Sequence, residues 1–332
     1  MNRMQVSDLK KETLSNDRQD QIQNMGKRNR IQSGVWPVML TPYTTDNKID
    51  YDGVQALIDW YIDRGVAGIF AVCQSSEMFY LTDGECRELA EFVIGYVGGR
   101  VGVVISGHTK SGLEEQMDQL QKMAALKPDA LVLVSNRLAK EDEPDGVFLE
   151  HLDRLMKELP PDIPLGMYEC PYPYKRLLTD RELLFMAESG RFAFLKDVCC
   201  DLAMLRRRIG LVEGSGLKLF NANSATLYDS LQFGVEGFCG VMGNFHPDLY
   251  VWLCKNYRSC KAEEIAQCLS VCSLIEPRCY PMIAKRYLNR YEELAITEFC
   301  RAAVPPCLPS FDTELDAVHR ITEMLREKIR SI

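Results

Sequence analysis

From residue 35 onward the chain repeats one phrase. A short apolar run is followed by a longer stretch in which apolar residues recur every three or four positions. The runs are VWPVML (35–40), GIFAV (68–72), VGVVI (101–105), ALVLV (130–134), PLGMY (164–168), FAFLK (192–196), LKLF (217–220) and GFCGV (237–241), eight in all. Short runs without polar alternation read as strands covered on both faces. The stretches between them read as helices. YDGVQALIDWYIDRG places Val54, Leu57, Ile58 and Tyr61 on one helical face. TDGECRELAEFVIGYVGG opens on a capping box of Thr82 and Glu85 and closes on glycines. SGLEEQMDQLQKMAALKPDA and DGVFLEHLDRLMKELPPD are stopped by proline, and TDRELLFMAESG by Gly190.

Strict strand–helix alternation implies parallel strands with helices on the outside. Eight such units predict an α/β fold, a (β/α)8 TIM barrel. A doubly wound open sheet is the competitor, but it carries a phosphate-binding glycine turn after its first strand. Here the first run leads into TPYTTDNKID, with no such turn. After residue 241 the alternation stops, and four stretches of helical periodicity follow. The expected layout is a mobile polar tail over residues 1–33, a barrel over 34–250 and a C-terminal helical extension over 251–332. The extension carries Trp252, Tyr257, Tyr280, Tyr287 and Tyr291, aromatic surface that suggests an interface between subunits.

Composition narrows the function classes. With 46% hydrophobic and 26% charged residues the chain has ample core material and is not a disordered polymer. A formal net charge of −8 disfavours nucleic acid and anionic membrane as partners. No apolar stretch approaches the roughly 20 residues of a membrane span. No secretory h-region opens the sequence. The 13 cysteines include no C-x-x-C pair, and the four histidines are scattered, so no metal site is expected. The cysteines read as small buried hydrophobes in a reducing, cytoplasmic setting.

In a barrel of this kind the active site is built at the C-terminal ends of the strands. The residues there are Thr41 after the first run, CQSSE (73–77) after the second, Tyr168 ending the fifth, Lys196 ending the sixth, and Asn221 and Asn223 after the seventh. A lysine at the mouth of an apolar barrel is partly desolvated, which favours the free amine over the ammonium. Such an amine attacks a ketone or aldehyde to form an imine. The plainer readings are an ion pair with Asp197 or a lysine reaching to solvent, although neighbours in a strand point to opposite faces. Strands five and six lie about 4.8 Å apart, so Tyr168 can meet Lys196 and shuttle protons there; otherwise it is a rim aromatic. The hydroxyls of Ser75 and Ser76 and the backbone N–H groups of their turn can hold a carboxylate, or the serines simply cap a helix. Glu77 orients that turn or is a solvated carboxylate.

These residues resemble a known family. PVMLTPYTTDNKID, CQSSEMFYLTDGE, YECP, FLKD, FGVEGFCGVMGNFHP and AAVPPCLP occur in the order and spacing of the dihydrodipicolinate synthase and N-acetylneuraminate lyase superfamily of class I, pyruvate-dependent aldolases. The likeness runs from Gly34 to the C-terminus. It implies that Lys196 forms a Schiff base with pyruvate or another 2-oxo acid and that Tyr168 relays protons. It also implies that Ser75 holds the substrate carboxylate and that Cys239 and Gly240 lie at the pyruvyl end. The mechanism it implies needs no metal or organic cofactor. The partners it implies are a small 2-oxo acid, an aldehyde, and a second copy of the chain in a homodimer or homotetramer.

The sequence also departs from the family. Cys73-Gln74 stands where the family has Gly followed by a hydroxyl residue. Pro173 stands where the synthases place an arginine that grips the second substrate, with Lys175 and Arg176 nearby on a shifted register. The loop SNRLAKEDEPDG lacks the synthases' tyrosines, and NANS follows the seventh run. These departures point away from both dihydrodipicolinate synthesis and sialic acid cleavage. Alternatives are a dehydratase or hydrolase of 2-oxo sugar acids working through the same imine, and a barrel that binds ligand without catalysis.

Overall fold

The computed structural model describes residues 31–331. The polar tail expected over residues 1–33 therefore lies, but for its last three residues, outside the described residues. Eight parallel strands are ordered β1-β8-β7-β6-β5-β4-β3-β2. They are β1 (Gly34–Val35), β2 (Gly68–Ala71), β3 (Gly102–Ile105), β4 (Ala130–Val134), β5 (Leu165–Tyr168), β6 (Phe192–Asp197), β7 (Lys218–Asn221) and β8 (Gly237–Phe238). A parallel bridge between Val38 and Phe70 closes the ring between the first and second strands. The fold is a (β/α)8 TIM barrel.

Each of the eight expected runs overlaps a strand, but the first strand and the last are shorter than their apolar runs. In VWPVML the ladder breaks at Pro37, which has no N–H to give. Its carbonyl still accepts from the Phe70 N–H at 3.0 Å. In GFCGV regular pairing ends at Phe238, and the chain enters a 3₁₀ turn over Val241–Asn244.

The crossover helices are α1 (Tyr51–Asp63), α2 (Asp83–Val97), α3 (Leu113–Ala124), a short α4 (Ser135–Leu138), α5 (Asp145–Glu158), α6 (Asp180–Glu188), α7 (Leu202–Val212) and α8 (Ser224–Gln232). The face expected on α1 is the one buried: Val54, Leu57, Ile58 and Tyr61 are all inaccessible. The Thr82 and Glu85 capping box forms reciprocally, with Glu85 N–H donating to Thr82 Oγ1 at 3.2 Å and Thr82 N–H to Glu85 Oε2 at 2.8 Å.

After β8 comes α9 (Pro247–Asn256), which packs on β1 and β8 as the last helix of the barrel; beyond the barrel come α10 (Ala262–Cys272), α11 (Met282–Tyr291) and α12 (Ser310–Arg330). The aromatic residues expected at an interface are engaged within the molecule. Tyr287 is fully buried, Tyr280 covers the barrel mouth, and Trp252, Tyr257 and Tyr291 pack partly buried against the core. They supply no argument for self-association. No helix among the described residues is long and apolar enough to cross a membrane.

Candidate active site

The floor of the site is aromatic. Inside the barrel Trp36, Phe70, Phe194 and Phe220 meet edge to face or stacked, with ring centres 4.7–5.9 Å apart. Side chains alternate along a strand, so in β6 Phe194 and Lys196 share the inward face, while Leu195 and Asp197 share the outward one. Lys196 thus stands one layer above the aromatic floor and is only 5% exposed. Its Nζ lies 4.2 Å from the centre of the Tyr168 ring and 6.0 Å from that of Phe70. An ion pair between Lys196 and Asp197 does not form. Asp197 turns outward to the buried guanidinium of Arg208 on α7, which also holds Glu169 at 2.6 and 3.1 Å.

Tyr168 faces Lys196 because β5 and β6 pair in that register. The phenol is 2% exposed, so it is not a rim aromatic, and burial pushes its pKa well up. Its hydroxyl donates to Gln74 Oε1 at 3.1 Å. The sequence reading missed Gln74, and the signal was present: it is the residue that replaces a hydroxyl in the turn after β2. The longer amide reaches the phenol and supplies an acceptor there.

That turn begins at Val72, a β-branched residue at φ 50°. A backbone this strained is uncommon and clusters at functional sites. It folds residues 73–77 over the barrel mouth. Ser75, 5% exposed, borders the cavity. Ser76 does not: its hydroxyl donates to the Met39 carbonyl at 2.6 Å and accepts from the Cys73 N–H at 3.1 Å. Thr41 is likewise taken up by structure, donating to the Ser76 carbonyl at 2.8 Å. Both were expected to meet substrate; instead they pin the turn to the end of the first strand. Cys239 is buried behind the cavity wall, with its thiol pushed up to about 12 by desolvation. Gly240 does line the cavity, and no side chain fits there, since a Cβ would fall 2.3 Å from the Ala222 carbonyl oxygen.

Glu77 is no solvated carboxylate. It is buried, pairs with Lys285 of α11 at 3.1 Å and accepts from the N–H groups of Arg301 and Ala302 at 2.6 and 2.8 Å. It ties the turn after β2 to the C-terminal segment. Of the two cations near Pro173, Arg176 is locked in a bidentate pair with Glu182 at 2.7 and 3.0 Å. Lys175 borders the cavity. After β7, Asn221 is buried against Thr226 and Ser230, whereas Asn223 caps α8 through Oδ1 and lines the cavity.

The cavity has a volume of about 420 Å³, towards the lower end of the roughly 300–1,000 Å³ typical of small-molecule sites. Lys196, Tyr168, Gln74 and Ser75 gather at one part of it. Glu276, Tyr280 and Pro281, from the segment joining α10 to α11, cover it. Nothing in the periodicity of that helical region marked Glu276 or Tyr280 as site residues.

The chain matches the dihydrodipicolinate synthetase family over residues 32–323. It belongs to that family. Among its relatives is the 4-hydroxy-tetrahydrodipicolinate synthase of Cellvibrio japonicus, 26% identical over 231 residues, 70% of this chain and 78% of that protein. Another is the putative 2-dehydro-3-deoxy-D-gluconate aldolase YagE of Escherichia coli, 27% identical over 229 residues, 68% of this chain and 74% of that one. In fold the chain is similar to the crystal structure of Escherichia coli YagE in complex with pyruvate. The TM-score is 0.76 at 22% identity, covering 89% of this chain and 99% of that one. Family relatives are lyases and aldolases, and an enzyme of that kind is what membership supports.

Proposed function

We propose that the protein is a class I aldolase that joins Lys196 to pyruvate or another 2-oxo acid as a Schiff base and makes or breaks a carbon–carbon bond. The observation that carries this reading is the buried amine of Lys196, 4.2 Å from the centre of the Tyr168 ring in a cavity that both residues line. An amine so placed can add to a ketone to form an imine, and a phenol beside it can move the protons of that reaction. Pyruvate, bound in the crystal structure of the relative YagE, is the simplest ligand of the required class.

In the cleavage direction the Ser75 end holds the substrate carboxylate. The Lys196 amine adds to the C2 carbonyl, and the Tyr168 phenol gives its proton to the departing oxygen, so that water leaves and a protonated imine remains. The phenolate left behind is a strong base, because burial raises the phenol's pKa. It takes the proton of the C4 hydroxyl as the C3–C4 bond breaks, and the electron pair moves into the imine to give an enamine. The aldehyde departs. Tyr168 returns the proton to C3, and water hydrolyses the imine to release the shorter 2-oxo acid. Gln74 keeps the phenol aimed throughout.

Dihydrodipicolinate synthesis fits poorly. Pro173 offers no charge for a second carboxylate, and Glu182 occupies Arg176. A missing charge-assisted hydrogen bond is worth about 10- to 150-fold in binding. Condensation of pyruvate with aspartate semialdehyde is therefore expected to be slow, and efficient turnover of that pair would point to Lys175 as a replacement grip. Assembly into a homodimer or homotetramer rests on family resemblance alone; sedimentation at micromolar concentration measures it.

The decisive test is reduction. Incubation with pyruvate and borohydride is expected to add one reduced pyruvyl group to the intact protein, on a peptide containing Lys196. Recovery of unmodified protein would refute the imine and favour a barrel that only binds ligand.

A further inference from the structure

The proton relay uses Lys196, Tyr168 and Gln74, and the pyruvyl carboxylate uses Ser75. Of the other charged groups lining the cavity, Glu77 is paired with Lys285 and Lys175 is exposed, which leaves Glu276 without a task. Glu276 follows the 3₁₀ turn Ser273–Ile275, outside the barrel proper. Its Oε1 is buried and has no hydrogen-bond partner among the described residues. Desolvation holds its carboxyl up at about 7, with Lys196 pulling the other way. A buried acceptor without a donor is costly and rare, and such groups in a cavity await a ligand.

The segment that carries Glu276 is fixed. Tyr280 accepts from Asn244 Nδ2 at 2.9 Å and is hydrogen-bonded to the side chain of Ser75. So the same short segment covers the carboxylate end of the cavity at Tyr280 and presents Glu276 to the remainder, where the aldehyde-derived part of the substrate must lie. The charges there limit what that part can be. An ammonium would meet both Lys196 and Lys175. A second carboxylate would meet Glu276 as well as Lys175, so either charge sets a like charge beside an opposite one, and a neutral polar group avoids that conflict. A purely apolar aldehyde would leave Oε1 unpaired. A hydroxyl gives Oε1 the donor it lacks, and Asn223, whose oxygen caps α8, has N–H donors left for the same hydroxyl's lone pairs.

Resting on the aldolase reading above, we propose that Glu276 is a specificity-determining residue, accepting a hydrogen bond from a hydroxyl on the aldehyde-derived end of the substrate, so that the second substrate is a small neutral hydroxyaldehyde. Glu276 takes no part in forming the imine.

Rates of condensation of pyruvate with glyceraldehyde and with propanal, which differ only in hydroxyls, test this in the full chain. The wild type is expected to prefer glyceraldehyde in kcat/KM. Glu276→Leu is expected to lower kcat/KM for glyceraldehyde by roughly 10- to 150-fold, the worth of a hydrogen bond to a charged group, and to leave propanal within about twofold. Glu276→Gln keeps the shape and an acceptor oxygen without the charge. It is expected to lose part of the preference, and it serves if the leucine variant melts early. A borohydride-trapped pyruvate adduct should still form in both variants. A normal adduct with equal losses for the two aldehydes, or with no loss for either, would overturn the role of Glu276 and leave the imine standing. So would a wild type that does not discriminate between the aldehydes. No adduct in the wild type would overturn both readings.

Discussion

The ends of β5 and β6 carry two charged clusters set back to back, separated by the thickness of one strand layer. Tyr168 and Lys196 face inward; Glu169 and Asp197, one residue further on, face outward. The outward cluster is complete. Arg208 reaches both carboxylates and the Leu178 carbonyl at 2.9 Å. The remaining carboxylate lone pairs take the N–H groups of Leu178, Val198 and Cys199 at 2.8–3.1 Å. The inward cluster is left incomplete: Lys196 has aromatic faces around it and no carboxylate within salt-bridge distance among the described residues. Both clusters are buried to the same degree, so burial alone does not distinguish structure from chemistry. The difference is saturation. A buried charge whose partners are all present holds two strand ends together, and one whose partners are absent is held ready for a ligand.

Replacing the inward amine breaks the comparison most sharply. Lys196→Ala removes the proposed nucleophile, and both the trapped pyruvate adduct and turnover should vanish while the fold, judged by its melting transition, survives. Tyr168→Phe comes next. The amine remains, so some adduct should still be trapped, but turnover should fall by about 10²- to 10⁴-fold, the usual contribution of general acid–base help. Unimpaired turnover in Tyr168→Phe would remove the phenol from the mechanism and pass the proton work to another cavity group.

The outward cluster should respond in the opposite currency. Arg208→Met leaves Glu169 and Asp197 buried without a cation, and breaking a buried ion pair from one side destabilises by about 3–5 kcal/mol. The loss should shrink as the pH falls and the stranded carboxylates protonate. Below the melting temperature the variant should still trap pyruvate on Lys196. A variant of normal stability with no adduct would mean that the two clusters are not separable, and that Arg208 acts on the amine through the strand.

The barrel was legible in the sequence because short unbroken apolar runs alternate with stretches of period-3.6 patterning, and because strand ends in such a barrel converge by geometry. Lys196 and Tyr168 were legible for the same reason, as polar residues closing apolar runs. The roles of Thr41 and Ser76 were misread because type and position along the chain do not say which way a hydroxyl turns. Both face a backbone carbonyl, not the cavity. Pro37 explains a shortened first strand that apolar content alone extends. Glu276 was invisible, since it owes its place to the packing of α10 and α11 across the mouth, a long-range arrangement that no local period encodes.

The smallest expected effect tests whether incompleteness at the site is itself a stability cost. Glu276 has an ordinary carboxyl value of 4.5 when unfolded and about 7 when folded. Below pH 4.5 it is protonated in both states and the shift contributes nothing. As the pH rises from about 4.5 to 7, the unfolded chain releases its proton first, so the unfolded state is favoured and stability falls. Above 7 the penalty is constant. The shift corresponds to an upper bound near 3 kcal/mol, lessened by whatever solvent reaches the group. Glu276→Gln removes the titration, so it should match the wild type in stability at pH 4 and exceed it by about 1–3 kcal/mol at pH 8. Chemical denaturation at the two pH values measures the difference. A variant equally stable at both, or less stable at pH 8, would show that Oε1 already has a partner in solution and that the carboxylate is part of the saturated framework, like Glu169, and not of the open site.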